Sequence, residues 1–325
     1  MIVDCHAHLV PPELMAAIRK DAAKFPNVKQ IEDGGSLAFS FAGAKPTRPV
    51  SKPLSDIPAR LAWMQEQGID KQVVGGWVDM FGYELQGAEG EAWSHLINDH
   101  LLAAAKAEPH FVPLASVPLG DGKRAAAVLK AAMDAGFPGA MIGTLPRGAG
   151  SPLDDKDLDP FWAMADETGA VIHIHPSFDA GDKRVEAFGL ANGLGRITDA
   201  AIAVARLISA GHVTRYKQAK FFAPMGAAAL PFVLGRLKRN AAITPDVGDP
   251  AEGLAHLYTD TILHDARALK FVIEIMGTER LMMGSDKPFP IGDFAPMKIV
   301  AEAGLTGAVA AAVNGGLAQK VFRIK

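Results

Sequence analysis

Cysteine is almost missing from this chain: Cys5 is the only one in 325 residues. An intrachain disulfide is therefore excluded, and a lone thiol favours a reducing compartment. Long apolar runs are missing too. No stretch approaches the roughly 20 residues of a membrane helix, because Lys, Asp or Arg interrupts each alanine-rich tract. A secretory leader is not expected, since Asp4, His6 and His8 break the N-terminal segment where an apolar core would be needed. Charge of one sign is nowhere concentrated. The net charge is −3, and no basic block interleaves with aromatic residues, which argues against a nucleic-acid surface. The expectation is a soluble, cytoplasmic protein whose partners are small molecules. With 49% hydrophobic and 21% charged residues the composition is ordinary, and the length supports one large domain or two smaller ones.

The most informative stretch is Ile2-Val-Asp-Cys-His-Ala-His-Leu9. Read as a strand, it points Asp4, His6 and His8 one way and Cys5 and Ala7 the other. Two histidines on one face look like two arms of a metal site. Alone the pair is weak evidence in a chain with ten histidines. Short apolar runs then alternate with helical periodicity along the rest of the chain. Strands are expected at 71–77, 111–118, 140–144, 170–175, 220–223, 258–263 and 280–284. Helices are expected at 13–20, 54–67, 89–107, 122–135, 158–168, 197–210, 230–239 and 266–276. Several of them close on glycine: Gly68, Gly136, Gly169, Gly211 and Gly277. Two more helical segments, 296–303 and 305–321, finish the chain. The exception is 28–50, where Asp33-Gly34-Gly35 between apolar runs reads as a β-hairpin inserted after the first strand. Eight strand–helix units in order are the pattern of a (β/α)8 TIM barrel, here one domain over residues 1–325.

In such a barrel the active site lies at the C-terminal ends of the strands. Partners for His6 and His8 occur there. Val171-Ile-His-Ile-His-Pro176 ends the fifth barrel strand with His175, and Leu281-Met-Met-Gly-Ser-Asp286 ends the eighth with Asp286. Either alone has a plain reading, as a turn histidine or a helix cap. Together, three neutral imidazoles and a carboxylate suit one divalent ion, Zn²⁺ first and Mn²⁺ as the alternative, with a position left for water. Asp286 is also expected to shuttle a proton.

Further motifs carry a family resemblance. Asp4-x-His6-x-His8 with Pro11-Pro12, Arg60-Leu-Ala-Trp-Met64 through Gly68-Ile-Asp70, His175-Pro176, Tyr258-x-Asp260, and Gly284-Ser-Asp286-x-Pro288-Phe289-Pro290 span nearly the whole chain. They resemble the amidohydrolase superfamily, in particular the group of aminocarboxymuconate-semialdehyde decarboxylase and related aromatic-acid decarboxylases. The resemblance implies His6, His8, His175 and Asp286 as ligands of one metal, usually zinc, and a dimeric assembly. It also implies a substrate-carboxylate contact for Arg48, which stands twelve before Arg60 as the family's carboxylate-binding arginine does. The plain alternative for Arg48 is a solvated loop residue.

The chain also departs from the family. A His-Gly-Gly-Gly-Ala run after the sixth strand supplies the family's proton-handling histidine. This chain reads Met225-Gly-Ala-Ala-Ala-Leu-Pro-Phe232, and a thioether at Met225 can wall a substrate pocket but cannot act as acid or base. Thr244 stands before Pro245-Asp246 where the decarboxylase has an arginine that reaches a neighbouring subunit's substrate. Replacement acids or bases are sought in His173 and His264, against plain readings as a core and a loop imidazole. Lys287 is a candidate for anion or oxyanion binding. Trp77, Phe289 and Phe178, with Met80 and Phe81, are candidates for a pocket wall or simply core.

Three functions stay open at this point. The missing histidine favours a metal-dependent hydrolase of a small cyclic or aromatic amide or lactone, carrying a carboxylate. The family resemblance favours a non-oxidative decarboxylase of a small aromatic or unsaturated acid, with a hydratase between the two. The third is a non-catalytic metal-binding relative.

Overall fold

The computed structural model describes residues 1–148, 150–177 and 182–325, so Phe178 lies outside the described residues. Ten strands are formed: β1 Val3–His8, β2 Val28–Asp33, β3 Ser36–Phe41, β4 Lys71–Gly75, β5 Phe111–Pro113, β6 Gly139–Gly143, β7 Val171–His175, β8 Lys220–Phe222, β9 Thr259–Asp260 and β10 Leu281–Met282. β2 and β3 pair antiparallel across Gly34 and Gly35, whose φ values of 57° and 83° suit glycine. The other eight are parallel and make a ring. β1, β4 and β5 pair directly, as do β6, β7 and β8, and β9 with β10. The bridges Ala115–Ala140, Phe222–Tyr258 and Ala7–Lys287 link these sheets and close the barrel. β9 and β10 are shorter than the sequence pattern suggests, because the chain leaves the ladder early to build the site.

The barrel interior is filled from nearly every strand or its end: Val3 and Cys5, Val73, Leu114, Met141, Val171, Phe222 and Met282. Phe322, Val321 and Ala318 join this cluster from the C-terminal segment. The outward residues Ala140, Ile142, Ile172, Ile174 and Phe221 meet the surrounding helices through Leu129, Trp162 and Leu207. Helix starts are set by aspartate caps. Asp56 accepts from the Ala59 N–H, Asp121 from Lys123 and Arg124, and Asp265 from Arg267. Gly68 and Gly169 end two helices with φ of 66° and 59°.

One expectation needs correction. The register of β1 on β4 slips between Asp4 and Ala7, so three steps on β1 match two on β4. Strict alternation therefore fails across this bulge. Cys5 packs inside the barrel with Val3 instead of sharing a face with Ala7, which packs against the outer cluster. Asp4 does not join His6 and His8 at the mouth and is taken up by a buried polar network.

Candidate metal centre

β1, β7 and the turn after β10 bring four side chains that could hold a metal ion to one point. One donor atom from each of His6, His8, His175 and Asp286 lies within 4.8 Å of all the others. The second ring nitrogen of each histidine is already committed. His6 Nδ1 stands 2.8 Å from Asp260 Oδ2, His8 Nδ1 3.2 Å from the Gly76 carbonyl, and His175 Nδ1 2.9 Å from the Pro176 carbonyl. All three partners accept, so each Nδ1 carries the proton and each Nε2 presents a lone pair. Nε2 of His6, Nε2 of His8 and Oδ1 of Asp286 are buried without a hydrogen-bond partner. His8 Nε2 and His6 Nε2 face Asp286 Oδ1 at 3.2 and 3.6 Å. Converging acceptors at this spacing fit a cation, and nitrogen with carboxylate oxygen suits a divalent transition metal.

The backbone pays attention to the same point. Asp286 sits at φ 58°, a left-handed conformation uncommon for a non-glycine residue, and its N–H donates to the His6 carbonyl at 2.8 Å. A Cβ on Gly284 would stand 3.0 Å from the Asp260 Cβ and 3.2 Å from the His6 Cβ, so glycine lets the strand end pass both.

Electrostatics follow burial and pairing. Burial, aided by the neighbouring imidazoles, holds His175 well below the usual histidine range, and burial also lowers His8. Burial opposes charge on His6 as well, but the Asp260 hydrogen bond and the charge of Asp286 outweigh it and raise His6. Asp286 is lowered: burial acts against this, and His8 and His6 overcome it.

A polar network supports the cage from behind. Asp4 accepts from Gln72 Nε2 at 2.8 Å, Ser285 N–H at 2.9 Å and Ser285 Oγ at 2.5 Å. Arg60, only 4% exposed, donates to Gln72 Oε1 at 2.7 Å and to the His8 carbonyl at 3.0 Å. β1, β4, the helix Ile57–Gln67 and the β10 turn are thereby tied together.

The other sequence candidates divide. Phe289 packs on His8, ring centroids 5.0 Å apart. Arg48 donates from Nε to Asp79 Oδ2 at 3.1 Å and lies 5.4 Å from the centre of the Trp77 ring. Met225 is half-buried, and its N–H donates to Asp260 Oδ1 at 2.7 Å. His173 lies deeper than the cage, fully buried, 4.3 Å from the His6 ring and 4.2 Å from Phe222. Burial and the charges of His6 and His8 hold it well below the ordinary range, as for a neutral core imidazole. Met80 and Phe81 are core residues.

Two expectations are not supported. His264 is exposed in the loop after β9, and no ring contact or hydrogen bond ties it to the cage among the described residues. Lys287 points its ammonium onto the rings of Trp63 and Phe294, at 4.5 and 3.6 Å, because its backbone is committed to β1 through the Ala7 bridge. Burial there, with Arg60 nearby, pulls it down to about 8.

The sequence names Asp260 within Tyr258-x-Asp260 but gives it no role, and it does not single out Arg196. Asp260 orients His6 and also holds the Met225 turn. Arg196, 8% exposed at the start of the helix Arg196–Ser209, carries no motif. Its charge is coupled to those of Arg48, Asp79 and Asp286, and it helps to lower His175.

A closed parallel barrel with a buried His₃Asp cage at its C-terminal mouth defines a class of single-metal barrel enzymes. The chain belongs to the amidohydrolase family, whose profile matches residues 3–324. It is 25% identical over 316 residues to 2-amino-3-carboxymuconate-6-semialdehyde decarboxylase of Dictyostelium discoideum, covering 92% of this chain and 84% of that protein. Its fold matches 5-carboxyvanillate decarboxylase from Sphingomonas paucimobilis with a TM-score of 0.81 at 21% identity, covering 100% and 99% of the two chains. It also matches 5-carboxyvanillate decarboxylase from Novosphingobium aromaticivorans complexed with manganese and 4-hydroxy-3-methoxy-5-nitrobenzoic acid. There the TM-score is 0.78 at 19% identity, over 100% and 96% of the chains.

Proposed function

We propose that the protein is a metal-dependent carboxy-lyase that removes CO₂ from a small aromatic or unsaturated acid. The observation that carries this reading is the guanidinium corner beside the cage. Arg48 is held by Asp79 and Trp77, and the buried Arg196 feels the charges of Arg48, Asp79 and Asp286. A carboxylate is the group that paired guanidinium donors recognise best. The curated relatives over the same span support the same chemistry, being named decarboxylases. The hydrolase preference drawn from Met225 loses ground accordingly.

A divalent ion held by His6, His8, His175 and Asp286 would supply Lewis-acid polarisation of substrate oxygens. Arg48 and Arg196 bind and orient the acid. Phe289 and Trp77 wall the ring. Cleavage of the C–C bond leaves an electron pair on the ring carbon, and a proton must reach that carbon while CO₂ departs. Asp286, an ionised carboxylate facing His6 and His8, is the group we assign to relay it, taking a proton from a substrate hydroxyl or water and passing it to that carbon. No acid is needed at position 225 in this scheme.

The test is CO₂ release from a panel of hydroxybenzoic, carboxyvanillic and muconic-type acids by protein loaded with Mn²⁺ or Zn²⁺, beside an amide and lactone panel. CO₂ release that falls about 10- to 100-fold in kcat/KM in Arg48→Ala supports the reading, on roughly 1.5–3 kcal/mol for a charged hydrogen bond. Turnover confined to the amides or lactones would overturn it.

A further inference from the structure

The opposite end of the barrel holds a second concave feature, unrelated to the cage. A cavity of about 410 Å³ is bounded by the residues that precede β8, β9 and β10. Four basic side chains line it: Lys217, Lys220, Arg280 and Arg323. Against them stand only Asp166 and Glu167. Asp166 is already occupied, accepting from the Gln218 N–H at 2.6 Å and from the Ala219 N–H at 3.4 Å.

The cations touch carbonyls, not carboxylates. Lys220 Nζ donates to the Gly169 carbonyl at 2.7 Å. Arg323 Nη2 donates to Thr168 and Gly169 at 2.8 and 3.0 Å. Arg280 Nη1 donates to the His256 carbonyl at 3.2 Å, with its guanidinium 4.8 Å from the centre of the Tyr258 ring. These contacts cap two helix ends and use a minority of the available donors, since a guanidinium has five. Among the described residues no carboxylate forms an ion pair with any of the four cations. Arg323 reaches its position at φ 55°, a strained conformation for arginine. Lys220 is held below the ordinary lysine range by burial and by the neighbouring Arg323 charge, the two cations sharing the Gly169 carbonyl.

We propose that this basal cavity binds a compact polyanion carrying two or more phosphate groups, of the size of a diphosphate. The free N–H donors of Arg280 and Arg323 would grip the phosphate oxygens, Lys220 would supply charge from the floor, and Lys217 would supply it at the exposed rim. The site lies a strand's length from the metal cage, so it is a binding function separate from turnover.

The test is calorimetric titration of the metal-loaded full chain with inorganic pyrophosphate, with citrate as a carboxylate comparator, at low and at 0.15 M salt. Saturable one-to-one binding of pyrophosphate, stronger than that of citrate, is expected. It should weaken at least tenfold in Arg280→Gln and in the rim variant Lys217→Glu, whose exposed position leaves folding intact. It should persist in Asp286→Ala, which separates this site from the cage. Absence of binding at millimolar pyrophosphate, equal binding in Lys217→Glu and wild type, or loss in Asp286→Ala would each overturn the proposal.

Discussion

Asp260 shows how much one side chain can decide. Its two oxygens serve different masters: Oδ2 accepts from His6, and Oδ1 accepts from the Met225 N–H at 2.7 Å and the Ile262 N–H at 3.1 Å. Asp260→Asn keeps the shape but removes the charge that fixes the His6 tautomer and strengthens its Nε2 as a donor. Metal affinity should fall by about 10- to 100-fold, measured by competition with a chromogenic chelator. Asp286→Ala removes a ligand outright and should lose the ion altogether by elemental analysis. The cluster of His6, His8, His175 and Asp286 was readable from the chain because imidazoles and a carboxylate at strand ends form a chemical pattern that needs no coordinates. Arg196 was not readable, since a lone arginine at a helix start looks like any other until the fold buries it within reach of the Asp286 charge. Lys287 misled for a related reason. Adjacency to a ligand in sequence says nothing about direction, and the aromatic faces of Trp63 and Phe294 claim its ammonium.

The element that departs most from ordinary backbone is the turn after β8. Met225, Gly226, Ala227, Ala228 and Ala229 have φ of 55°, 62°, 59°, 52° and 61°. Four residues with side chains thus hold a conformation that costs roughly 1–2 kcal/mol each. The turn survives because Asp260 and Thr259 hold it, Thr259 Oγ1 accepting from the Ala227 N–H at 2.6 Å. Ala229 is exposed, whereas Ala227 and Ala228 are fully buried. Ala229→Gly should therefore stabilise the protein by about 1 kcal/mol. Ala227→Gly should be close to neutral, because relief of strain is offset by roughly 0.8 kcal/mol of lost methyl burial. Denaturant midpoints of the two variants check this. The order of strands and helices followed from periodicity and glycine caps. The left-handed run and the bulge in β1 did not, because a run of alanines reads as helix and a bulge leaves no compositional trace.

At the scale of the whole molecule, the cage is a staple. It joins β1, β7 and the β10 turn, which are far apart in sequence, and only the folded chain brings its four ligands together. Binding therefore adds to folding stability, by about 2.7 kcal/mol when free metal is a hundredfold above its dissociation constant. Chelation should lower the melting temperature by several degrees, and restoring the ion should recover it. The same loss should follow acidification, because protons compete for the three Nε2 lone pairs. The ring of strands was foreseeable from eight repeats of one unit. The cation-lined floor was not, because its residues come from five separate segments that have no common motif.

Cys5 is completely buried in the barrel interior, beside the ligand His6 in the chain, and burial pushes its thiol well above the usual range. Being the sole thiol, it is a built-in clock for opening of the barrel. A disulfide reagent can reach it only when β1 detaches from its neighbours, so the labelling rate counts those excursions one molecule at a time. Occupancy of the cage, which pins the same strand, should slow that clock.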